Sequence, residues 1–237
     1  MFSKKANVIS TAAGSGTKKA AKTADGETIF HRQLRLLSDA GIQDFIVTTG
    51  PFAEQLQAEA ADFPELKFTF VPNEIYDKTN YIYSMYKARE FINDDMIFLH
   101  GDLVFSRSLV QAMLGSGEKN AAAVNFTKAL PEKDFKGRVR DGKVMEVSIH
   151  IFDEDCYAFQ PFYKLEKAVA EAWVQKVIEF IDQGQDKCYA ENAFNQILPQ
   201  LDVRAFSYEN YYIDEIDNPD DYTRVSREIL PFDAAEG

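Results

Sequence analysis

The chain has 237 residues, enough for one large domain or two small ones around a substantial core. Hydrophobic residues make up 46% and charged residues 27%, as in ordinary globular proteins, and a net charge of −12 argues against general affinity for nucleic acid or anionic membrane. Cys156 and Cys188 form neither a metal-ligand spacing nor a disulfide framework. The opening residues lack the long apolar core of a signal peptide, and no segment has the length needed to span a bilayer. These features predict a cytoplasmic enzyme or binding protein and leave its oligomeric state open.

In chain order, residues 7–11 read as a first strand, followed directly by a glycine loop. Residues 28–40 carry Ile29, Leu34, Leu36 and Leu37 at helical spacing, with Gly41 as the C-terminal stop. A second strand covers 45–49, a polar-faced helix 53–61 and a third strand 66–71. Residues 80–91 read as a helix, and the apolar run from Met96 as a strand buried on both faces. Strands alternating with helices in this way predict a parallel sheet with right-handed crossovers. The second half is less regular: a strand at 121–126, and a hairpin or extension over 143–151 begun by the Asp141-Gly142 turn. Helical periodicity over 164–182 places Val169, Trp173, Val177, Ile178 and Ile181 on one face, which makes Trp173 a core residue. A helix at 192–198 is stopped by Pro199, segments 203–208 and 211–213 are extended, and 220–230 is a closing helix. With no internal repeat or linker, one domain over residues 1–237 is expected, with a second half, residues 121–237, added to a nucleotide-binding first half, residues 1–120.

Three segments carry candidate chemistry. The Met96 strand delivers Asp102, just after Gly101, to the carboxyl end where open α/β sheets bind ligands. There it is either a divalent-cation ligand or part of an ordinary Gly-Asp turn. Ala12, Ala13, Gly14, Ser15 and Gly16 follow the first strand, so their backbone can approach phosphate oxygens, with Lys18, Lys19 and Lys22 close behind. The loop matches neither a P-loop nor a dinucleotide fingerprint. Near the end, Asp214, Glu215 and Asp217 crowd together. Continued as a strand, this segment projects Glu215 and Asp217 from one face, and paired carboxylates repel unless a cation such as Mg²⁺ lies between them. Asp217 and Asp221 also suit a helix start.

The order of these pieces carries a resemblance: an Ala-Ala-Gly-x-Gly loop, then ETIFHRQLRLLSDAGIQDFIVTTG, NEIYDKTNYIYSMYKAREF, MIFLHGD and DEIDNPDDY. It resembles the nucleotidyltransferases of the sugar-phosphate and phosphocholine type, and most of all the small bacterial CTP:phosphocholine cytidylyltransferase-like proteins. The resemblance implies an α/β, three-layer Rossmann-like fold of the GT-A type with a mostly parallel central sheet. It implies attack of a phosphate or phosphonate oxygen on the α-phosphorus of a nucleoside triphosphate, CTP favoured, with Mg²⁺ as cofactor and pyrophosphate released. By the same resemblance, Ala12 to Gly16, Asn80, Ser84 and Gly101 line the nucleotide site, and Asp102, Glu215 and Asp217 hold the metal. Lys19, whose spacing to Gly26 matches, takes the place of the family lysine. Tyr189 and Glu191 in CYAENAF resemble the acceptor-side stretch, and Tyr212 is a further candidate for a small phosphorylated amine. The loop departs from the pattern: the arginine usual after the second glycine is missing, and Glu27 stands where a lysine is common. A sugar-1-phosphate nucleotidyltransferase, or a nucleotide-binding relative with weak turnover, stays open.

Overall fold

The structure, a computed structural model, describes residues 7–12 and 26–236. Strand β1 (Asn7–Ala12) lies between β2 (Asp44–Thr49) and β4 (Met96–His100), with β3 (Lys67–Pro72) outside β2, and all four run parallel. Helices α1 (Ile29–Asp39), α2 (Ala53–Ala60) and α3 (Tyr81–Ala88) make the connections, as the alternating pattern requires. Local chemistry sets their ends. The Thr28 hydroxyl accepts from the His31 amide at 3.1 Å and starts α1, while Gly41, at φ +94°, supplies the left-handed residue that ends it.

Beyond His100 the chain changes style. It continues through β5 (Leu103–Phe105), α4 (Arg107–Gly115), β6 (Ala121–Asn125), β7 (Lys136–Arg140), β8 (Lys143–Ser148) and β9 (Cys156–Leu165). Then come α5 (Lys167–Asp182), α6 (Ala190–Phe194), β10 (Arg204–Ser207), β11 (Ile213–Glu215), α7 (Pro219–Glu228) and α8 (Leu230–Glu236). Among the described residues the main sheet has the order β3-β2-β1-β4-β9-β6-β10-β8-β7, and β7 also pairs with β9. The expectation of a mostly parallel sheet is corrected: the sheet is mixed. Strand β9 runs antiparallel to both its neighbours, β4 and β6, and the β7–β8 pairing is antiparallel too. The reason is the connection. Asp141 (φ 51°) and Gly142 (φ 74°) form a tight left-handed turn, which can join only antiparallel strands.

Two helix boundaries also move. Lys164 was expected to open a helix; it lies in β9, and α5 begins at Lys167. The buried Lys164 ammonium donates to the carbonyls of Met113 (3.2 Å), Leu114 (3.3 Å) and Ser116 (3.2 Å), closing the C-terminal end of α4. β9 hides from pattern reading because nearly all of it is buried and it contains Pro161, tolerated where its register with β6 slips. The helix expected at 192–198 is α6 followed by a separate 3-10 turn, Leu198–Gln200, which contains Pro199 instead of stopping at it.

The core lies on both faces of the sheet. On β4, Phe98 faces a cluster with Tyr163, Trp173 and Phe194, while Leu99 faces one with Leu34, Leu37, Phe105 and Phe162. Trp173 is fully buried, stacked on Phe194 at 4.2 Å, and donates its indole N–H to the Ala190 carbonyl at 2.9 Å. A smaller cluster of Ile29, Val104, Tyr212, Ile216, Val225 and Ile229 seats α7.

Candidate active site

The site forms where β4 ends. Gly101 and Asp102 turn the chain straight into β5, which pairs antiparallel with β11 so that Leu103 lies opposite Glu215. The Ile216 amide donates to the Asp102 carbonyl at 3.1 Å, and the Ser106 amide to the Tyr212 carbonyl at 3.0 Å. Two segments more than a hundred positions apart thus become one strip, with Asp102 beside Glu215 and Asp217. Asp134, from the loop before β7, completes the group: carboxylate oxygens of Asp134, Glu215 and Asp217 lie within 4.8 Å of one another.

Alternation along β11 separates the acids. Glu215 turns to this cluster, while Asp214 is 5% exposed and is held by Lys128 at 3.0 Å and by Arg224. Asn218 takes the cap of α7, accepting from the amides of Asp220 (2.9 Å) and Asp221 (3.0 Å). The Asp221 carboxylate receives the Asp217 amide at 3.2 Å. The helix start is therefore served by Asn218 and Asp221, and the Asp217 carboxylate belongs to the cluster.

Electrostatics mark the place. Burial, then the charges of Asp102, Asp134 and Asp217, push the Glu215 carboxyl well above the usual carboxylate range, and it hydrogen-bonds Asp134. One oxygen of Asp102, Oδ1, is buried without a hydrogen-bond partner among the described residues. An orphaned carboxylate oxygen facing an all-oxygen acidic group fits the hard-ligand chemistry of Mg²⁺. The turn that bears Asp102 is fixed from behind, since the buried Gln33 amide donates to the carbonyls of His100 (3.1 Å) and Leu103 (2.8 Å).

Beside the carboxylates lies an aromatic cluster. Tyr81 meets His100 edge-on at 4.6 Å and Tyr189 at 5.9 Å, and Phe135 meets Tyr189 at 5.0 Å and His100 at 6.1 Å. Phe135 follows Asp134, and His100 precedes Gly101 and Asp102, so the rings and the carboxylates share two chain segments.

The remaining sequence candidates divide. Ala13, Gly14, Ser15, Gly16 and Lys19 lie outside the described residues; Ala12 ends β1 in register with Thr49. Asn80 caps α3, accepting from the Tyr81 amide at 2.7 Å, and buried Ser84 accepts from Asn73 at 3.1 Å. Tyr189 joins the aromatic cluster. Glu191 does not join it: only 1% exposed, it accepts from the Tyr163 hydroxyl at 3.0 Å in the core, where burial pushes its carboxyl up to about 8. Tyr212 packs elsewhere, against Phe232 at 5.6 Å, with its hydroxyl on Glu228 at 3.4 Å. Asp134, Phe135 and Gln33 were missed. Asp134 and Phe135 sit in a loop with no periodicity, and Gln33 acts through a contact across 70 positions.

Comparison with known proteins gives this geometry its family. The chain is 28% identical over 101 residues to the CMP-5'-(3-aminopropyl)phosphonate synthase of Streptomyces rubellomurinus, a match that covers 42% of this chain and 16% of that protein. It is 24% identical over 158 residues to the CTP:phosphoglutamine cytidylyltransferase of Campylobacter jejuni, covering 60% of this chain and 62% of that one. The chain thus spans less than two thirds of the length of either relative. Its fold is that of the CTP:phosphocholine cytidylyltransferase from Streptococcus pneumoniae, with a TM-score of 0.78, 20% identity and coverage of 95% and 99% of the two chains. Residues 10–187 match the model of the MobA-like NTP transferase domain, and the chain belongs to that family.

Proposed function

We propose that this protein is a Mg²⁺-dependent nucleotidyltransferase that moves a cytidylyl group from CTP to a small phosphorylated or phosphonylated amine. The observation that carries the reading is the meeting of Asp102, Asp134, Glu215 and Asp217 beyond the end of β4, with Asp102 Oδ1 buried and unpartnered among the described residues. Family membership supports nucleotidyl transfer, and the names of both relatives, one a CMP-phosphonate synthase and one a CTP-dependent transferase, support cytidine. The aromatic cluster of Tyr81, His100, Phe135 and Tyr189 beside the carboxylates supports an amine, because aromatic rings attract a desolvated cation.

In this reading Asp102, Asp134, Glu215 and Asp217 would hold the ion, which would supply positive charge against the phosphate oxygens. Gln33 keeps the Asp102 turn in place, while Asp221 fixes the Asp217 backbone. The lysines after the glycine loop, Lys19 foremost, offset charge on the triphosphate. The acceptor oxygen forms the new bond to the α-phosphorus as the bond to pyrophosphate breaks. The test is a pyrophosphate-release screen of four nucleoside triphosphates against phosphocholine, phosphoethanolamine, aminoethylphosphonate and sugar 1-phosphates. Release with CTP and an aminated acceptor is the expected result; preference for a sugar 1-phosphate overturns the acceptor class. The absence of an arginine after Gly16 favours a second reading, nucleotide binding with weak turnover, and tight CTP binding without pyrophosphate release would establish it.

A further inference from the structure

Lys136 is fully buried at the start of β7, where its backbone is clasped between Ser148 of β8 and Ala158 of β9. Its ammonium touches no carboxylate among the described residues. It donates instead to three carbonyls: Ile149 at 2.6 Å, Pro131 at 3.0 Å and Glu132 at 3.4 Å. The Phe152 ring covers it, 4.1 Å from the nitrogen to the ring centre. Three N–H donors meet three acceptors, which is what makes a buried ammonium tolerable. Two of the carbonyls belong to the loop that ends in Asp134 and Phe135. The third lies just beyond the end of β8, the strand paired with β7, so the side chain staples that loop to a neighbouring strand end.

We infer that Lys136 is a positioning residue: by tying Pro131 and Glu132 to Ile149, it delivers the Asp134 carboxylate to Glu215 and Asp217, and the Phe135 ring to the aromatic cluster. The inference rests on the reading of the acidic cluster as a divalent-cation site. A loop tied only at its ends samples many placements, and a ligand carboxylate on it binds less tightly. A buried lysine that merely added stability would leave cation affinity unchanged.

The test uses Mn²⁺ as the probe, titrated into the full chain and followed by the electron-spin-resonance signal of the free ion. Lys136→Met keeps the length of the side chain and removes its donors. It is expected to weaken Mn²⁺ binding about tenfold or more, as loss of an outer-shell partner does. Asp134→Asn is expected to weaken binding at least as much, and the double variant no more than Asp134→Asn alone, because both changes remove the same ligand. A folded Lys136→Met protein with wild-type Mn²⁺ affinity, or a double variant whose losses multiply, overturns the inference. If Lys136→Met does not fold, Lys136→Gln decides: the shorter amide keeps two donors but cannot serve all three carbonyls, and unchanged Mn²⁺ affinity there is equally fatal. Wild-type affinity in both Asp102→Asn and Asp134→Asn would instead remove the cation-site reading itself.

Discussion

The two halves of the sheet build their share of the site by opposite means. In the first half, parallel strands β1 to β4 run in register, and helices return the chain to the same edge each time. Every strand therefore ends at one crevice, and position in the sequence almost dictates position at the site. In the second half, short turns and mostly antiparallel pairings close β6 to β10 into a ring, and the candidate site collects residues that the ring leaves over. Asp134 comes from a loop, and Glu215 and Asp217 come from the end of a three-residue strand that pairs outside the main sheet. A parallel half offers an address. An antiparallel half offers residues that only specific pins bring to it.

That contrast can be broken at the strip where the halves meet. Asp102→Asn and Asp217→Asn each replace a carboxylate with a neutral amide of the same shape. Each is expected to lower nucleotidyl transfer by more than the roughly 10–100-fold typical of an outer-shell change. Far-UV circular dichroism should be unchanged, and pyrophosphate release measures the loss. If one variant keeps full activity, the two halves do not share one cation site.

The second half should carry much of the stability. Trp173→Ala empties a fully buried position stacked on Phe194, and about 3–5 kcal/mol of destabilisation is expected in urea unfolding. A loss below about 1 kcal/mol would mean that the core on this face collapses to fill the gap, as only loosely packed sites do.

Glu191 sharpens the same point through pH. Its carboxyl is pushed up to about 8 from an ordinary value of 4.5, with burial the cause. Below about pH 4.5 both the folded and the unfolded chain hold this proton, and the group adds no pH dependence. Above it the unfolded chain loses the proton first, so stability falls as pH rises, until about 8, where the folded chain loses it too. The slope approaches about 1.4 kcal/mol per pH unit within that window. Glu191→Gln keeps the shape without the charge, and its stability relative to the wild-type chain is expected to grow between pH 5 and 8. Parallel urea titrations of the two proteins at several pH values would show it; a constant difference would place the ionised carboxylate in the fold.

The smallest expected effect lies at the helix start that follows the cluster. Asn218→Ala removes the acceptor of the Asp220 and Asp221 amides and should cost about 1 kcal/mol in thermal or urea unfolding. No loss at all would mean that another side chain, Asp217 first among them, can serve as the cap. The Asp217 carboxylate would then not be committed to the cluster.

Much of the fold was legible because periodicity reports local burial. The parallel strands, α1 with its Gly41 stop, and the buried stripe of α5 with Trp173 could be placed from side-chain spacing. Asp102 could be named as a candidate because it ends an apolar run, and Asp217 because it stands in a crowd of acids. β9 could not be read, since nearly all of its side chains are buried and Pro161 argues against a strand until the slip in register with β6 is seen. Glu191 and Tyr212 looked alike as candidates, one acid and one aromatic in promising stretches. Packing put the first in the core against Tyr163 and the second in the cluster that seats α7.

The sequence by itself determined the alternating first half, the acid at the end of β4 and the crowded acids at the end of β11, because each depends on neighbours within a few positions. Tertiary structure alone decided that β9 enters antiparallel, that β5 and β11 pair, and that Asp134 joins Asp102, Glu215 and Asp217. It also decided that Gln33 and Lys136 use buried hydrogen bonds to hold the Asp102 turn and the loop before β7. Those outcomes turn on contacts between residues far apart in the chain, whose partners no local pattern names, and a buried polar group reveals its purpose only once the acceptors around it are known.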